Sequence, residues 1–300
     1  MLYDSNHLVF ELSFKVHFLN VGDGDCTILE LPDDTIMVVD VRNARIRSYD
    51  ARSGLENPIN YLEKKLKVSS IFRYVQTHPD MDHLDGFYDL RNKYTFTNFW
   101  DTNNNKPKPD EFLRGYREID WNTYQKIRSE EDTKFRTRSL DPIGLKGGKF
   151  PYEIYVINPS IELVKKANEN EDWNLLSYVI VIIYEGFKLM LSGDASDEAW
   201  EDIYKWAMTN SDAKNLVSDV IVFKAAHHGR NSSYCGVNML NLMKPQKIVI
   251  SKGTVPGEQS AYGKYYSWSG GADNMFLTSK GTIIIDYYDI KNRKYSIYYA

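Results

Sequence analysis

Residues 77–86 read Thr-His-Pro-Asp-Met-Asp-His-Leu-Asp-Gly, so that His78, Asp80, Asp82, His83 and Asp85 crowd into one short segment. Imidazole and carboxylate together are ligands for Zn²⁺, Mn²⁺ or Fe²⁺. In an extended or turning segment, alternation converges His78 and Asp80 on one ion and Asp82 with His83 on a neighbouring one. Two such ions clamp both the attacking and the leaving oxygen of a displacement. A loop that only capped the next helix, with Asp82 or Asp85 as the cap, would need one of these groups rather than five.

Two later stretches share that form, an apolar run that ends in a ligand. Leu-Met-Leu-Ser-Gly-Asp ends at Asp194, and Gly193 before it permits close backbone approach. Taken alone, Asp194 reads as the cap of the helix that starts near 195. Val-Phe-Lys-Ala-Ala-His-His-Gly ends at His227 and His228, and adjacent histidines at a strand end are a metal signal of moderate strength. Three ligand-bearing strand ends are far more specific together than any one alone. Lys224, Arg230, Ser232 and Ser233 flank the histidine pair; each reads first as a surface or turn residue, and together they could hold phosphate oxygens.

The elements that must position these residues are strands first. Phe-Lys-Val-His-Phe-Leu-Asn-Val-Gly, Cys-Thr-Ile-Leu-Glu-Leu-Pro and Thr-Ile-Met-Val-Val-Asp open the chain, the last two joined by a turn at Pro32-Asp33-Asp34. A helix is expected over 55–67, then the strand Ile-Phe-Arg-Tyr-Val-Gln that leads into His78. Residues 101–150 read as an irregular and helical insertion within one domain spanning 1–300. A hairpin through Glu185-Gly186 follows, then helices near 195–208 and 234–243 between strands, and two strands at the C-terminus. Strands and hairpins first, then strands alternating with helices, twice over, describe two sheets packed face to face with helices outside.

Composition sets the bounds. Three hundred residues, 42% of them hydrophobic, can bury a substantial core. A net charge of -4 argues against a wholly basic nucleic-acid coat. Locally the balance reverses: between 133 and 150 stand Lys134, Arg136, Arg138, Lys146 and Lys149 against Asp141. This positive loop, with Trp100, Tyr116, Trp121 and Tyr124 near it in sequence, would suit a single strand by charge and base stacking, though the aromatics could equally be core. Two cysteines without a metal-type spacing favour a reduced, cytoplasmic setting. No apolar run approaches bilayer length, and the first residues make a poor secretion signal, so no membrane partner is expected.

Val16–Asp40, Thr77–Gly86, Leu175–Ala195 and Phe223–Ser233, in that order, resemble the metallo-β-lactamase fold. More closely they are similar to the soluble hydrolase domain of the competence protein ComEC and its stand-alone relatives. The resemblance covers about 14–286 and implies an α/β, four-layer αββα sandwich with a dinuclear metal site on one edge. It implies two divalent ions, Zn²⁺ or Mn²⁺. Residue by residue, His78 and Asp80 match the first-metal half of the signature, with Asp80 where the wider superfamily has histidine, and Asp82 with His83 match the second. Asp194 matches the bridging aspartate and His228 the last histidine ligand. His227 is then placed to touch the phosphate or leaving group, so that Asp82, Asp194 and His227 carry the catalysis. Asp40 and Asp25 match positions that support the ligands from behind. Two departures stand out: the superfamily's middle histidine is missing, with only Asn174 and Ser177 near its place, and Lys264 stands where many relatives have a histidine.

The resemblance implies hydrolysis of phosphodiester substrates, with Lys224, Ser232 and Ser233 on the phosphate, and a nuclease as the first expectation. A phosphodiesterase for a small substrate, a cyclic nucleotide or a phosphocholine ester, is the alternative within the same chemistry. A metal-binding partner subunit of weak activity is the alternative outside it.

Overall fold

The computed structural model describes residues 13–46, 54–110, 115–130, 132–143, 151–252 and 259–300. The first sheet is built from β1 (Phe14–Phe18), β2 (Thr27–Glu30), β3 (Ile36–Val39), β4 (Ile71–Val75), β5 (Phe96–Asp101) and β6 (Lys134–Phe135). The C-terminal strands β13 (Ile283–Asp289) and β14 (Lys294–Tyr299) complete it, in the order β14-β13-β1-β2-β3-β4-β5-β6. The second sheet holds β7 (Glu153–Asn158), β8 (Val179–Tyr184), β9 (Phe187–Leu191), β10 (Val222–Lys224), β11 (Lys247–Ile250) and β12 (Met275–Leu277), in the order β12-β11-β10-β9-β8-β7. Each sheet passes from antiparallel hairpins to parallel strands. β3 runs parallel to β4 and β4 to β5, while β9, β10 and β11 are parallel in the other sheet.

The apolar residues show why the sheets stack. Along β8 the side chains of Ile180 and Ile182 enter the core between the sheets, with Phe14, Val16, Val39, Val75 and Leu189. Val179 and Val181, one residue out of phase, enter the core under the second helical layer. A strand buried on both faces therefore reads as an unbroken apolar run.

Helices cover both outer faces. Over the first sheet lie α1 (Pro58–Asn60), α2 (Phe87–Lys93) and α3 (Glu118–Arg128), which pack Ile59, Leu90, Trp121 and Tyr124 onto Ile28, Val38 and Tyr74. Over the second lie α4 (Ile161–Asn170), α5 (Asp197–Thr209), α6 (Ser211–Val217), α7 (Gly236–Met243) and α8 (Tyr262–Ser269), with Trp200, Ile203, Leu240 and Tyr265 in the core beneath. The layers run helix, sheet, sheet, helix. Among the described residues no helix is long and apolar enough to cross a membrane.

Local expectations changed in three places. The helix expected over 55–67 occupies 58–65: Asn57 Oδ1 accepts the N–H groups of Ile59 and Asn60, and after Asn60 the chain widens into a π-helical turn at Tyr61–Lys65. The 101–150 segment contributes α3 and the short β6, so part of it extends the first sheet. Third, α4 falls in a stretch to which no element was assigned, and Ser160 caps it by accepting the N–H of Leu163.

Candidate metal and phosphate site

Parallel strands in each sheet point their C-terminal ends to one edge, where α/β proteins place their sites. Asp40 follows β3, Thr77 and His78 follow β4, Asp194 follows β9, and His227 and His228 follow β10. Gly193 makes this convergence possible. It has φ +44°, and a Cβ there would strike Ser177 Oγ and lie 2.8 Å from Thr77 Cβ. Asp40, His227 and His228 also take left-handed φ values, of 58°, 50° and 54°. Such geometry costs a non-glycine residue about 1–3 kcal/mol and clusters at functional sites.

Four donors meet at the centre. The ligand atoms of Asp82, His83, Asp194 and His228 all lie within 4.8 Å of one another. His83 Nε2 is 3.3 Å from Asp194 Oδ1 and 3.9 Å from Asp82 Oδ2. His228 Nε2 is 3.3 Å from Asp82 Oδ2 and 3.7 Å from Asp194 Oδ2. Donors held about 2.0–2.2 Å from one ion stand at most about 4.4 Å apart, and these pairs satisfy that limit. The buried atoms His83 Nε2, His78 Nε2 and Asp194 Oδ1 make no hydrogen bond within the protein. The residues fit a divalent ion.

The groups behind them set the tautomers. His83 Nδ1 is 2.7 Å from Asp40 Oδ2, and His228 Nδ1 is 3.1 Å from the Ser251 carbonyl oxygen. Carboxylate and carbonyl can only accept, so both rings donate a hydrogen from Nδ1 and turn Nε2 to the centre. His78 follows the same logic one step removed. Thr77 Oγ1 donates its hydrogen to Asp40 Oδ2 (2.7 Å) and must therefore accept from His78 Nδ1, 3.1 Å away. Asp40 also accepts the Thr77 N–H.

Electrostatics agree. Burial alone would push the His83 pKa down, but Asp194, Asp40 and Asp82 lift it well above the ordinary imidazole value. Burial alone would raise Asp194, yet His83 and His228 hold it far below the carboxylate range. A buried cluster with this much carboxylate requires positive charge.

Around the centre, the expected residues divide. His227 lies beside the cluster, with Nε2 3.6 Å from Asp194 Oδ2, and it lines a cleft of about 650 Å³. Asp80 has unexpected company: its Oδ2 is 3.6 Å from His78 Nε2, but its Oδ1 is 2.6 Å from Lys106 Nζ. Lys224, expected on the substrate, is 3% exposed and ion-paired with Asp25 at 2.6 Å. That pair stands behind the centre, and Asp25 shares a second acidic group with Asp40 and His83. Ser233, expected on phosphate, is buried under His227, with Oγ 3.1 Å from its Nδ1. Ser232 is exposed and does not line the cleft. Ser177, near the place of the missing middle histidine, accepts the Asp194 N–H at 2.9 Å and lies 3.5 Å from His78 Nδ1, so it braces both residues. Lys264 turns to the Tyr234 ring, 4.9 Å from its centroid.

The aromatics separate as well. Trp100, Trp121 and Tyr124 are core, 0–3% exposed, and offer no base-stacking face. Tyr116 does line the cleft, beneath Arg42 at 5.2 Å and Arg45 at 5.9 Å from its ring centroid. Arg42 and Arg45 had no signal in the sequence. Both meet Asp85, Arg45 through a short Nε–Oδ1 contact, so Asp85 orients arginines rather than joining the metal donors. Arg230 lines the same cleft. Of the basic loop, Lys134, Arg136 and Arg138 are described: Arg138 pairs with Asp202, and Arg136 lies 5.4 Å from the Trp100 ring centroid. Lys146 and Lys149 fall outside the described residues.

No known protein family matches the sequence, and no curated protein does. Solved structures do match in shape. A variant of CmlA β-hydroxylase superposes with a TM-score of 0.51 at 11% identity, over 88% of this chain and 52% of its own. The fold is the one this hydroxylase shares over that stretch, two stacked sheets with helices on both outer faces. This chain spans about half the length of that CmlA structure. Human tRNase Z, short form, gives a TM-score of 0.43 at 12% identity, over 78% of this chain and 91% of its own. A metallo-β-lactamase of Cronobacter sakazakii gives 0.39 at 11% identity, over 69% and 75%. At 11% identity the likeness to the CmlA structure is one of fold.

Proposed function

We propose that this protein is a metal-dependent hydrolase of phosphodiester bonds, acting first on nucleic acid. The observation that carries the reading is the convergence of Asp82, His83, Asp194 and His228, two of which, Asp82 and Asp194, line a cleft shared with Arg42, Arg45 and Arg230. A divalent ion in that cluster would supply Lewis-acid charge opposite the phosphoryl oxygens and acidify water enough to serve as a nucleophile near neutral pH.

The chain's own groups do the rest. Asp194 and Asp82 hold the cationic centre, and Asp40 and the Ser251 carbonyl keep the His83 and His228 rings facing it. Arg230, exposed at the cleft wall, is placed to take a non-bridging phosphate oxygen, and Arg42 and Arg45 extend that charge along the wall. His227, steadied by Ser233, reaches the same space and is the group placed to hold a proton for the leaving oxygen. Tyr116 adds aromatic surface to the same wall, beneath Arg42 and Arg45. The resemblance to the ComEC hydrolase domain supports nucleic acid as the substrate and the cytoplasm as the setting.

One observation favours a smaller substrate. A cleft of about 650 Å³ lies within the range of small-molecule sites, and Asp85 already meets Arg42 and Arg45, which leaves less charge for a long backbone. A cyclic nucleotide or phosphocholine ester would fit it. Labelled single-stranded DNA, duplex DNA, RNA and cyclic dinucleotides, each incubated with Mn²⁺ and with Zn²⁺, decide the matter. Cleavage of a nucleic acid that is lost in Asp194→Ala is the expected result. Turnover of small substrates alone removes the nuclease reading, and no hydrolysis of any phosphodiester with either ion leaves a metal-binding partner subunit.

A further inference from the structure

The two pairs in the Thr77–Gly86 loop do not have equal surroundings. Asp82 and His83 face the other donors of the cluster, Asp194 and His228, whereas Asp80 has an ammonium 2.6 Å from Oδ1. The Lys106 side chain is 8% exposed, so water screens its charge poorly. Its placement is built in. The Lys106 N–H donates to Asn104 Oδ1 (3.2 Å), and Asn104 Nδ2 donates to Tyr124 Oη (2.9 Å) and to the Thr102 carbonyl (3.1 Å). Arg128 donates to the Asn104 carbonyl at 2.8 Å while its Nε meets Asp101 Oδ2 at the same distance. One residue on, the Asn105 N–H donates to Asn168 Oδ1 (2.9 Å), which ties the loop after β5 to α4.

We infer that the Lys106 ammonium serves as the cation of the His78–Asp80 half, so that the chain holds one metal ion tightly, in the Asp82–His83–Asp194–His228 cluster. An ammonium on one carboxylate oxygen draws electron density from the other and repels a dication brought to it. His78 and Asp80 thus keep the residue types of a metal pair while Lys106 supplies the charge that a second ion would bring. The expected two-ion site becomes one ion plus one fixed ammonium, which stands near the cleft without the dissociation that a weak ion would suffer.

The inference rests on the metal-dependent reading above, and metal stoichiometry separates the two. Isothermal titration of the full chain with Zn²⁺, with bound metal counted by mass spectrometry after gel filtration, is expected to show one tight ion in the wild type. Lys106→Met is expected to show two, the second at least tenfold tighter than any weak second event in the wild type, and Lys106→Arg to stay at one. With Mn²⁺, the paramagnetic resonance spectrum should change from that of isolated ions in the wild type to that of a coupled pair in Lys106→Met. Circular dichroism establishes that each variant is folded. Should Lys106→Met unfold, Lys106→Gln takes its place, and Asp80→Asn added to it should return the count to one.

Two equally tight ions in the wild type overturn the inference and leave the metal-dependent reading standing. So does a Lys106→Met protein that binds one ion, or binds its second more weakly, since Lys106 would then merely anchor Asp80 as a ligand. No ion in the wild type overturns both.

Discussion

His78 and His83 lie side by side, ring centroids 4.3 Å apart, fully buried, each with its Nδ1 hydrogen committed to an oxygen. Yet the Nε2 of His83 faces the Asp194 and Asp82 carboxylates within a closed set of donors, while that of His78 faces an aspartate already engaged by Lys106. The same two residue types, five positions apart, thus acquire different chemistry from their neighbours. A ligand is defined by what competes for it as much as by its own lone pair. Among the described residues, Asp194 is the one carboxylate in reach of both halves, 3.9 Å from His78 Nε2 and 3.3 Å from His83 Nε2.

That shared position predicts the largest effect. Asp194→Ala should lower hydrolysis about 10³-fold or more, the scale of losing a preorganised electrostatic group, and should abolish tight metal binding. Retention of either would break the comparison at its centre.

The support beneath the Lys106 loop is next. Burial lifts the Asp101 carboxyl to about 6, with Arg128 and Tyr124 pulling it partway back. Because the folded pKa is above the unfolded one, near 3.9, the folded state holds the proton more tightly. The resulting stability is present in full below about pH 4 and is lost as pH rises through 6, up to about 3 kcal/mol. Melting curves of wild type and Asp101→Asn should therefore differ by an amount that falls between pH 4 and 6.5. A difference that stays flat would show that Asp101 keeps an ordinary pKa.

Asp40→Asn tests the closed half through ring orientation. Removing the acceptor behind His83 should weaken metal affinity about 10–100-fold with little change in fold, measured by competition with a chromogenic chelator. An unchanged affinity would mean that packing alone orients His83.

The smallest effect belongs to the cleft wall. Arg230→Ala should raise KM about tenfold and leave kcat nearly unchanged, as expected for a contact made equally to substrate and transition state. A fall in kcat alone would move Arg230 from holding the substrate to stabilising developing charge.

Much of the site was legible because its signal is local. An apolar run followed at once by His or Asp marks a strand end, and β4, β9 and β10 each carry that mark. The inward and outward alternation of β8 was legible only as an apolar run, since both of its faces are buried. Ser160 ahead of an Ile-Glu-Leu-Val pattern is a readable helix start for α4. The roles given to Lys224 and Ser233 went the other way: both sit next to the histidine pair in sequence, but strand direction buries one against Asp25 and the other under His227.

By itself the sequence determined the residue types of the candidate ligands, their strand-end placement and the layered architecture, because residue type and apolar period act over a few positions. Only the tertiary structure decided which charges meet. The partnerships of Lys106 with Asp80, Lys224 with Asp25, and Arg42 and Arg45 with Asp85 join different loops and strand ends. Coulomb interaction depends on distance in space and on exclusion of water, and neither is written in the spacing along a chain.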